Sequence, residues 1–192
     1  MTPPRPPRAV LDTDVIFSRV LHELLGRIAS ELRLLTPIWS DELLTEAERV
    51  LVEKKPMPEA AARRWVGYLR EAFPAGRVEL AGPPWAAQLA ELTADPDDQH
   101  ICALAVAGNA DLLLTSDRGY LRDPLSRHGI DVQVPDGFLG AAFDEQPSAL
   151  LGLLRSQAAA WGGGRPIEEL LDAIQRGGAW SFADKARRAL AA

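Results

Sequence analysis

The sequence predicts an α/β fold, with a parallel sheet of about five strands flanked by helices and an all-helical C-terminal extension. Short apolar runs alternate with segments of helical period over the first two thirds of the chain, the pattern of strands joined by crossover helices. The run Leu112–Leu114 is unbroken, as expected for a strand buried on both faces. Beyond about residue 141 only helical patterns remain. We therefore expect one domain over 8–140 and a helical extension over 141–192.

The first half of the predicted domain contains two strands and three helices. Apolar runs predict strands at 8–12 and within 34–40, and apolar residues at helical spacing predict a helix at 17–35 between them. Ser40 is suited to cap a helix that runs to about residue 55, because a serine side chain can accept from the first free backbone N–H groups. Another amphipathic helix is expected at 58–73.

The second half continues the alternation and leads into the extension. We expect a weak strand at 77–80, a short helix at 84–93 and a central helix at 97–108, ended by Gly108 and Asn109. Strands at 111–117 and 130–134 follow, separated by a short helix near 121–129. In the extension we expect helices at 147–161 and 166–176, and a last helix capped by Ser181.

Composition limits the classes of function. The chain has 192 residues, 47% of them hydrophobic, and a formal net charge of −6, so the broad basic surface of a generic nucleic-acid binder is not expected. The single cysteine, Cys102, excludes an internal disulfide and is expected to pack in the core. No apolar run reaches the ~18 residues of a membrane span, and the N-terminus lacks the apolar stretch of a signal peptide. We expect a cytoplasmic protein that does not contact membranes.

Acidic residues are concentrated where the predicted elements would converge. The stretch DPDDQH carries three aspartates at the start of the central helix, which is more than the helix dipole requires. Asp12 and Asp117 follow apolar strands, and ligands of parallel sheets bind beyond the carboxyl ends of the strands. In the Ser40 helix, Glu46 and Glu48 border opposite sides of the apolar stripe, and the pattern does not separate them. Carboxylates gathered in this way suit Mg²⁺ or Mn²⁺.

Three stretches together resemble the successive motifs of PIN-domain ribonucleases, in particular the VapC-like toxins of bacterial toxin–antitoxin pairs. They are VLDTDVIFS, SDELLTEAERVL and DPDDQHICALAVAGNADLLLTSDRGYL. The resemblance implies an acidic set of Asp12, Glu46, Asp98 and Asp117, with the three aspartates as metal ligands and Thr115 as a polar neighbour. It implies Mg²⁺- or Mn²⁺-dependent endonucleolytic cleavage of RNA, in which a bound ion activates the attacking water.

Other residues and partners are less narrowly implied. Asp14 stands where the family commonly has Asn, Asp97 favours the helix start or supports the metal site, and Arg118 is a candidate phosphate contact. As a VapC-like toxin of a type II pair, the protein would bind RNA and a cognate antitoxin, and a homodimer is expected. The extension would act as a lid, as an antitoxin-docking surface, or as packing that completes the domain.

Two alternatives stay open at this point. The stretch VLDTDVI also resembles the nucleophile motif of haloacid-dehalogenase-like phosphatases, in which Asp12 would attack phosphorus and Asp14 would act as acid and base. That family needs a later lysine, and Lys54 and Lys55 are the candidates. The other alternative is a catalytically silent PIN fold that serves as an interaction module. His100 lies one turn into the central helix, where it could contact substrate or simply border the core.

Overall fold

A computed structural model describes residues 5–55, 57–81, 89 and 91–191. The chain forms two compact units, one from Met1–Phe17 and Leu35–Gln133 and the other from Ser18–Leu34 and Val134–Ala192. These units cut across the predicted ranges 8–140 and 141–192, because the helical segment after residue 17 groups with the C-terminal helices. We call the first the sheet unit and the second the helical unit.

Four strands and ten α-helices follow one another in the described part of the chain. Their bounds are β1 Arg8–Leu11, α1 Thr13–Phe17, α2 Arg19–Arg27, β2 Thr36–Ile38, α3 Asp41–Lys54, α4 Glu59–Ala72, α5 Gln99–Ala107, β3 Leu112–Leu114, α6 Arg122–Arg127, β4 Asp131–Gln133, α7 Pro135–Glu145, α8 Pro147–Ala160, α9 Ile167–Arg176 and α10 Trp180–Ala191. None of the described helices is both long enough and apolar enough to span a membrane.

The sheet of the sheet unit is parallel, with strand order β2-β1-β3-β4. Val10 in the central strand β1 lies opposite Ile38 of β2 and Leu113 of β3, and all three side chains are buried. The predicted α/β class is thus confirmed, with burial on both faces as the Leu112–Leu114 run indicates.

The predicted count of about five strands is wrong by one within the described residues. The segment 77–80 forms no strand: Arg77 makes an isolated bridge with Trp39, and the N–H of Val78 donates to the Trp39 carbonyl at 2.8 Å. The Arg77 guanidinium instead pairs with Asp41 and Glu79, so this edge ends in a charged cluster. The predicted helix at 84–93 lies largely outside the described residues.

Two helices of the sheet unit bring acidic residues toward the site. Helix α3 starts as predicted, with the Ser40 hydroxyl accepting from the N–H of Leu43 at 3.3 Å, and its apolar stripe is buried. Helix α5 is preceded by a 3₁₀ turn, Pro96–Asp98, in which the side chain of Asp95 accepts from the N–H of Asp97. It ends at Ala107, and Asn109 takes the left-handed conformation that stops it.

The predicted helix at 17–35 is present as α2 and a π-helical turn that continues it, and a short helix, α1, precedes it. Helix α1 begins at Thr13, immediately after Asp12, and α2 begins only at Arg19. A π-helical turn, Ile28–Leu32, continues α2 and ends at Arg33, which is left-handed. Because α1 starts at Thr13, its first backbone N–H donates to the Asp12 carboxylate at the end of β1.

The helical unit contains α2 and α7–α10. Helix α7 was not predicted, yet it buries Phe138, Leu139, Ala142 and Phe143. Ser181 does not cap the last helix as predicted: α10 starts one residue earlier, and the Asp136 carboxylate accepts from the N–H groups of Ser181 and Phe182 at 3.2 and 2.8 Å. The Asp136 carboxylate of α7 thus provides the hydrogen-bond acceptor that was expected from the Ser181 hydroxyl.

Candidate functional site

Asp12 lies at the carboxyl end of β1 and is only 5% exposed. Its backbone N–H donates to the Leu114 carbonyl at 3.0 Å, which fixes it beside β3. One carboxylate oxygen accepts from the Thr115 hydroxyl at 2.6 Å and the other from the N–H of Thr13 at 2.7 Å. Burial, and then the charge of Asp14, raise the pKa of Asp12 to about 7 in spite of these donors. Asp12 is therefore a buried acid held in one orientation.

Thr115 and Asp117 extend the same edge beyond β3. The Thr115 hydroxyl, which donates to Asp12, also accepts from the N–H of Asp117 at 2.9 Å, so one hydroxyl links the two acids. Oδ1 of Asp117 accepts from the N–H of Gly119 at 2.6 Å. A Cβ at position 119 would lie 3.2 Å from Oδ1 of Asp117 and 3.8 Å from Oδ2 of Asp98. Glycine thus leaves room between these two carboxylates.

Asp98 reaches this place from the 3₁₀ turn that precedes α5. Its Oδ2 atom is buried and accepts no hydrogen bond from any described residue. Burial, followed by the charges of Asp95, Asp117 and Glu46, raises the pKa of Asp98 to about 6. A buried acceptor without a donor is costly, and here it faces other carboxylates.

Glu46 projects from α3 and is held by two side chains. Its Oε2 accepts from the Thr13 hydroxyl at 3.0 Å and lies 2.8 Å from Nε2 of His100, an ion-pair distance. Partial burial opposes ionisation of Glu46, but the contacts with His100 and Thr13 outweigh it and lower the pKa. Burial likewise opposes protonation of His100, and Glu46 outweighs it, so the His100 pKa is raised. Nδ1 of His100 lies 2.8 Å from the Asp97 carbonyl.

The remaining predicted residues surround these acids. Oδ2 of Asp14 accepts from the N–H of Ser116 at 2.8 Å. Much of Asp14 is exposed, but its carboxylate end is desolvated, and this desolvation raises its pKa. Asp97 is exposed and contributes its carbonyl to His100, whereas Arg118 is exposed and forms no ion pair within the described ranges. The guanidinium of Arg122 donates to the Val132 carbonyl, so it stabilises the fold.

Residues that the sequence did not single out complete the arrangement. Thr13 contacts both Asp12 and Glu46, and its place directly after the first aspartate is the only signal in the sequence. His100 was left undecided between substrate contact and core edge. It lines an open cavity of about 610 Å³ together with Glu46, Asp97, Thr45 and Arg49. Glu48, which the pattern could not separate from Glu46, pairs instead with Arg63.

These carboxylates suit a hard divalent cation, although they do not form a complete coordination shell. No three His, Cys, Asp or Glu side chains of the described ranges stand in ligating geometry. The chemistry nevertheless fits, since Asp12, Asp98 and Asp117 offer oxygen donors, which such ions prefer. The unpartnered Oδ2 of Asp98 and the raised pKa of Asp12 are what carboxylates show when no positive charge compensates them.

Comparison with protein families agrees with this architecture. The PIN domain family matches residues 8–119, more than half of the chain and the stretch that carries all four acids. The match ends before the predicted boundary at 140. Comparison with curated proteins and with solved structures gave no significant match. PIN domains are a nuclease fold, and their members generally use divalent metals. From its sequence and its fold, this chain belongs to the PIN-domain family.

Proposed function

We propose that this protein is a divalent-metal-dependent endoribonuclease that cleaves RNA phosphodiester bonds with an activated water. The observation that carries the proposal is the group of mutually repelling carboxylates at the carboxyl edge of a PIN-family sheet, in which Asp12 is buried, Asp98 is half-buried and Asp117 is exposed. Such charges are unfavourable in the protein alone and become favourable next to a cation.

Asp12, Asp98 and Asp117 would hold Mg²⁺ or Mn²⁺. Thr115 supports two of them at once, because its hydroxyl donates to Asp12 and accepts from the backbone of Asp117. Asp98 supplies an oxygen, Oδ2, that accepts no hydrogen bond from the described residues. When bound, the cation lowers the pKa of a coordinated water and offsets charge on the phosphate under attack.

Glu46 would orient the attacking water or accept its proton. Thr13 and His100 hold Glu46, which lines the cavity. Their contacts lower the pKa of Glu46, so its carboxylate is ionised and able to accept a proton. Arg118 is exposed beyond Asp117 and would contact the RNA backbone. Following the family resemblance, in-line attack would leave a 5′-phosphate and a 3′-hydroxyl.

The biological role that best fits the resemblance is the toxin of a type II toxin–antitoxin pair. On this proposal the protein acts in the cytoplasm on RNA, is inhibited by a cognate antitoxin, and forms a homodimer. Residues 141–192 would dock the antitoxin or cover the site. Removal of 147–192 then weakens antitoxin binding, whereas loss of folding would assign these helices to the core.

The two alternatives are not favoured. A phosphatase of the haloacid-dehalogenase type needs a lysine next to its aspartates, but the Lys55 ammonium donates to the Phe17 carbonyl and lies over the rings of Phe17 and Trp65. A silent interaction module would not need four acids and their supporting hydroxyls. Turnover of small phosphoesters with a trapped aspartyl phosphate at Asp12 would reinstate the phosphatase.

The test is RNA cleavage by the wild type and by Asp98→Asn, each with Mn²⁺ and with chelator, and with folding checked by circular dichroism. We expect the wild type to lose activity in chelator and Asp98→Asn to lose about 100-fold or more, since metal stabilisation of the transition state is worth several kcal/mol. Asp123→Asn is the matched control, because Asp123 is exposed on α6. A folded Asp98→Asn protein with full activity would contradict the site, and activity in chelator would contradict the metal.

A further inference from the structure

Thr13 contacts two acids of the site and uses a different group for each. Its backbone N–H donates to Oδ1 of Asp12 at 2.7 Å, and its hydroxyl donates to Oε2 of Glu46 at 3.0 Å. Asp12 follows β1, whereas Glu46 lies in α3. One residue thus joins acids from separate elements of the sheet unit, and the proposed chemistry assigns no function to this link.

The fold holds Thr13 in place. It is the first residue of α1, and the N–H groups of Val15 and Ile16 donate to the Asp12 carbonyl, each at 3.0 Å. The Asp12 N–H in turn donates to the Leu114 carbonyl of β3 at 3.0 Å. A threonine side chain is also stiff at its first torsion, because Cβ is branched. The Thr13 hydroxyl is therefore a well-positioned donor for Glu46.

His100 approaches the same oxygen of Glu46. Its Nε2 lies 2.8 Å from Oε2 of Glu46, and its Nδ1 lies 2.8 Å from the Asp97 carbonyl. Both contacts of Glu46 thus fall on Oε2, and none of the described residues donates a hydrogen bond to Oε1. Glu46 lines the open cavity of about 610 Å³. Its carboxylate is anchored through one oxygen, and the described residues leave the other oxygen free.

We propose that Thr13 is a positioning residue that ties Glu46 to Asp12, so that Glu46 presents Oε1 to the attacking water. The inference rests on the proposed function and adds to it a residue and a choice of oxygen. A shift of about 1 Å in a positioned group can lower a rate about 100-fold, so loss of the link should affect kcat more than binding. The contact with Asp12 uses the backbone of Thr13 and survives a change of its side chain.

The test compares the wild type, Thr13→Val, Thr13→Ser and Thr36→Val on a labelled RNA of mixed sequence, with single-stranded and stem-loop segments, in Mn²⁺. Valine keeps the shape of threonine without the hydroxyl, whereas serine keeps the hydroxyl. We expect Thr13→Val to lower kcat about 10–100-fold with little change in KM, and Thr13→Ser to keep most of kcat. Thr36→Val is the matched control in β2 and should cleave like the wild type.

Mn²⁺ affinity, measured by calorimetry without RNA, separates Glu46 from the cation site. It should be equal in Thr13→Val and the wild type, because Asp12 keeps its backbone donor. Circular dichroism checks the folding of each variant, and Thr13→Ala replaces Thr13→Val where valine impairs folding.

A double variant separates positioning of Glu46 from a structural role. If Thr13 acts through Glu46, adding Thr13→Val to Glu46→Gln lowers kcat no further than Glu46→Gln alone. Three results overturn the inference alone: a wild-type kcat in Thr13→Val, a Mn²⁺ affinity that falls as far as kcat, or losses that multiply in the double variant. A wild type that does not cleave the RNA in Mn²⁺ overturns the proposed function, and the inference with it.

Discussion

The paired acids of the helical unit differ from the acids at the carboxyl edge of the sheet unit in whether a lysine or arginine compensates their charge. In the helical unit, the Arg187 guanidinium lies within ion-pair distance of Glu168, Asp172 and Asp184. The Lys185 ammonium lies 2.7 Å from Asp144. At the carboxyl edge of the sheet unit, no described lysine or arginine pairs with Asp12, Asp98 or Asp117. His100 pairs with Glu46 instead.

The presence or absence of a cationic partner distinguishes acids that stabilise a fold from acids that are available to bind a cation. A surface carboxylate beside a cation contributes about 0–1 kcal/mol and disturbs little. A buried carboxylate without a cation costs stability, and a fold tolerates that cost where function needs the charge. By this criterion the carboxyl edge of the sheet unit is the candidate site, and the paired acids of the helical unit stabilise its fold.

The largest expected effect is a gain in stability when Asp12 loses its charge. Its pKa is raised from 3.8 to about 7, so the folded state binds the proton more tightly than the unfolded state. The resulting stability is present below pH 4 and is lost as the pH rises through 7. We expect metal-free Asp12→Asn to exceed the wild type at pH 8 by about 2–3 kcal/mol in free energy of unfolding, allowing for one weakened hydrogen bond.

Denaturant unfolding of both proteins from pH 4.5 to 8 checks this prediction. Burial lowers the pKa of His22 to about 4, so His22 lowers the stability of the folded protein in acid. Both proteins contain His22, so this contribution cancels in the difference between their free energies of unfolding. Saturating Mg²⁺ should stabilise the wild type at pH 8 and leave Asp12→Asn nearly unchanged. If the two proteins have parallel pH profiles, Asp12 does not carry an uncompensated charge.

A smaller effect is expected at Thr115, which touches two acids without being a ligand. Thr115→Val keeps the shape but removes the donor to Asp12 and the acceptor for the N–H of Asp117. We expect Mn²⁺ affinity to fall about 10–100-fold, the range for partners of metal ligands. Thr36→Val, the same change in β2, should leave the affinity unchanged. Equal losses in the two variants would mean that the threonine change acts through the sheet as a whole.

The sequence predicted the fold wherever periodicity and strand ends decide it. The β1 and β3 runs and the Ser40 cap depend on local patterns, and the structure confirms them. Helix α7 was missed because Gly137 and Gly140 lower the local helix propensity, whereas burial of its Phe and Leu side chains stabilises the helix. The strand at 77–80 failed because its pairing with Trp39 is limited to one isolated bridge at Arg77, a contact between distant residues.

At the site, sequence reasoning found residues but not their partners. The rule that ligands bind at strand ends led to Asp12 and Asp117. In the structure Asp98 lies beside Asp117, because glycine at position 119 leaves room between the two carboxylates. Periodicity could not choose between Glu46 and Glu48, because that choice depends on Thr13, His100 and Arg63 across the fold.

The smallest expected effect is a loss of stability at Asp136 in the helical unit. The Asp136 carboxylate accepts from two backbone N–H groups at the start of α10. Asp136→Ala should lower the free energy of unfolding by about 0.5–2 kcal/mol, as expected for a lost helix cap, and should leave Mn²⁺ affinity and RNA cleavage unchanged. Denaturant unfolding and Mn²⁺ calorimetry on the one variant measure both. A stable variant with weakened Mn²⁺ binding would mean that acids of the helical unit also serve the cation, and the division by charge compensation would fail.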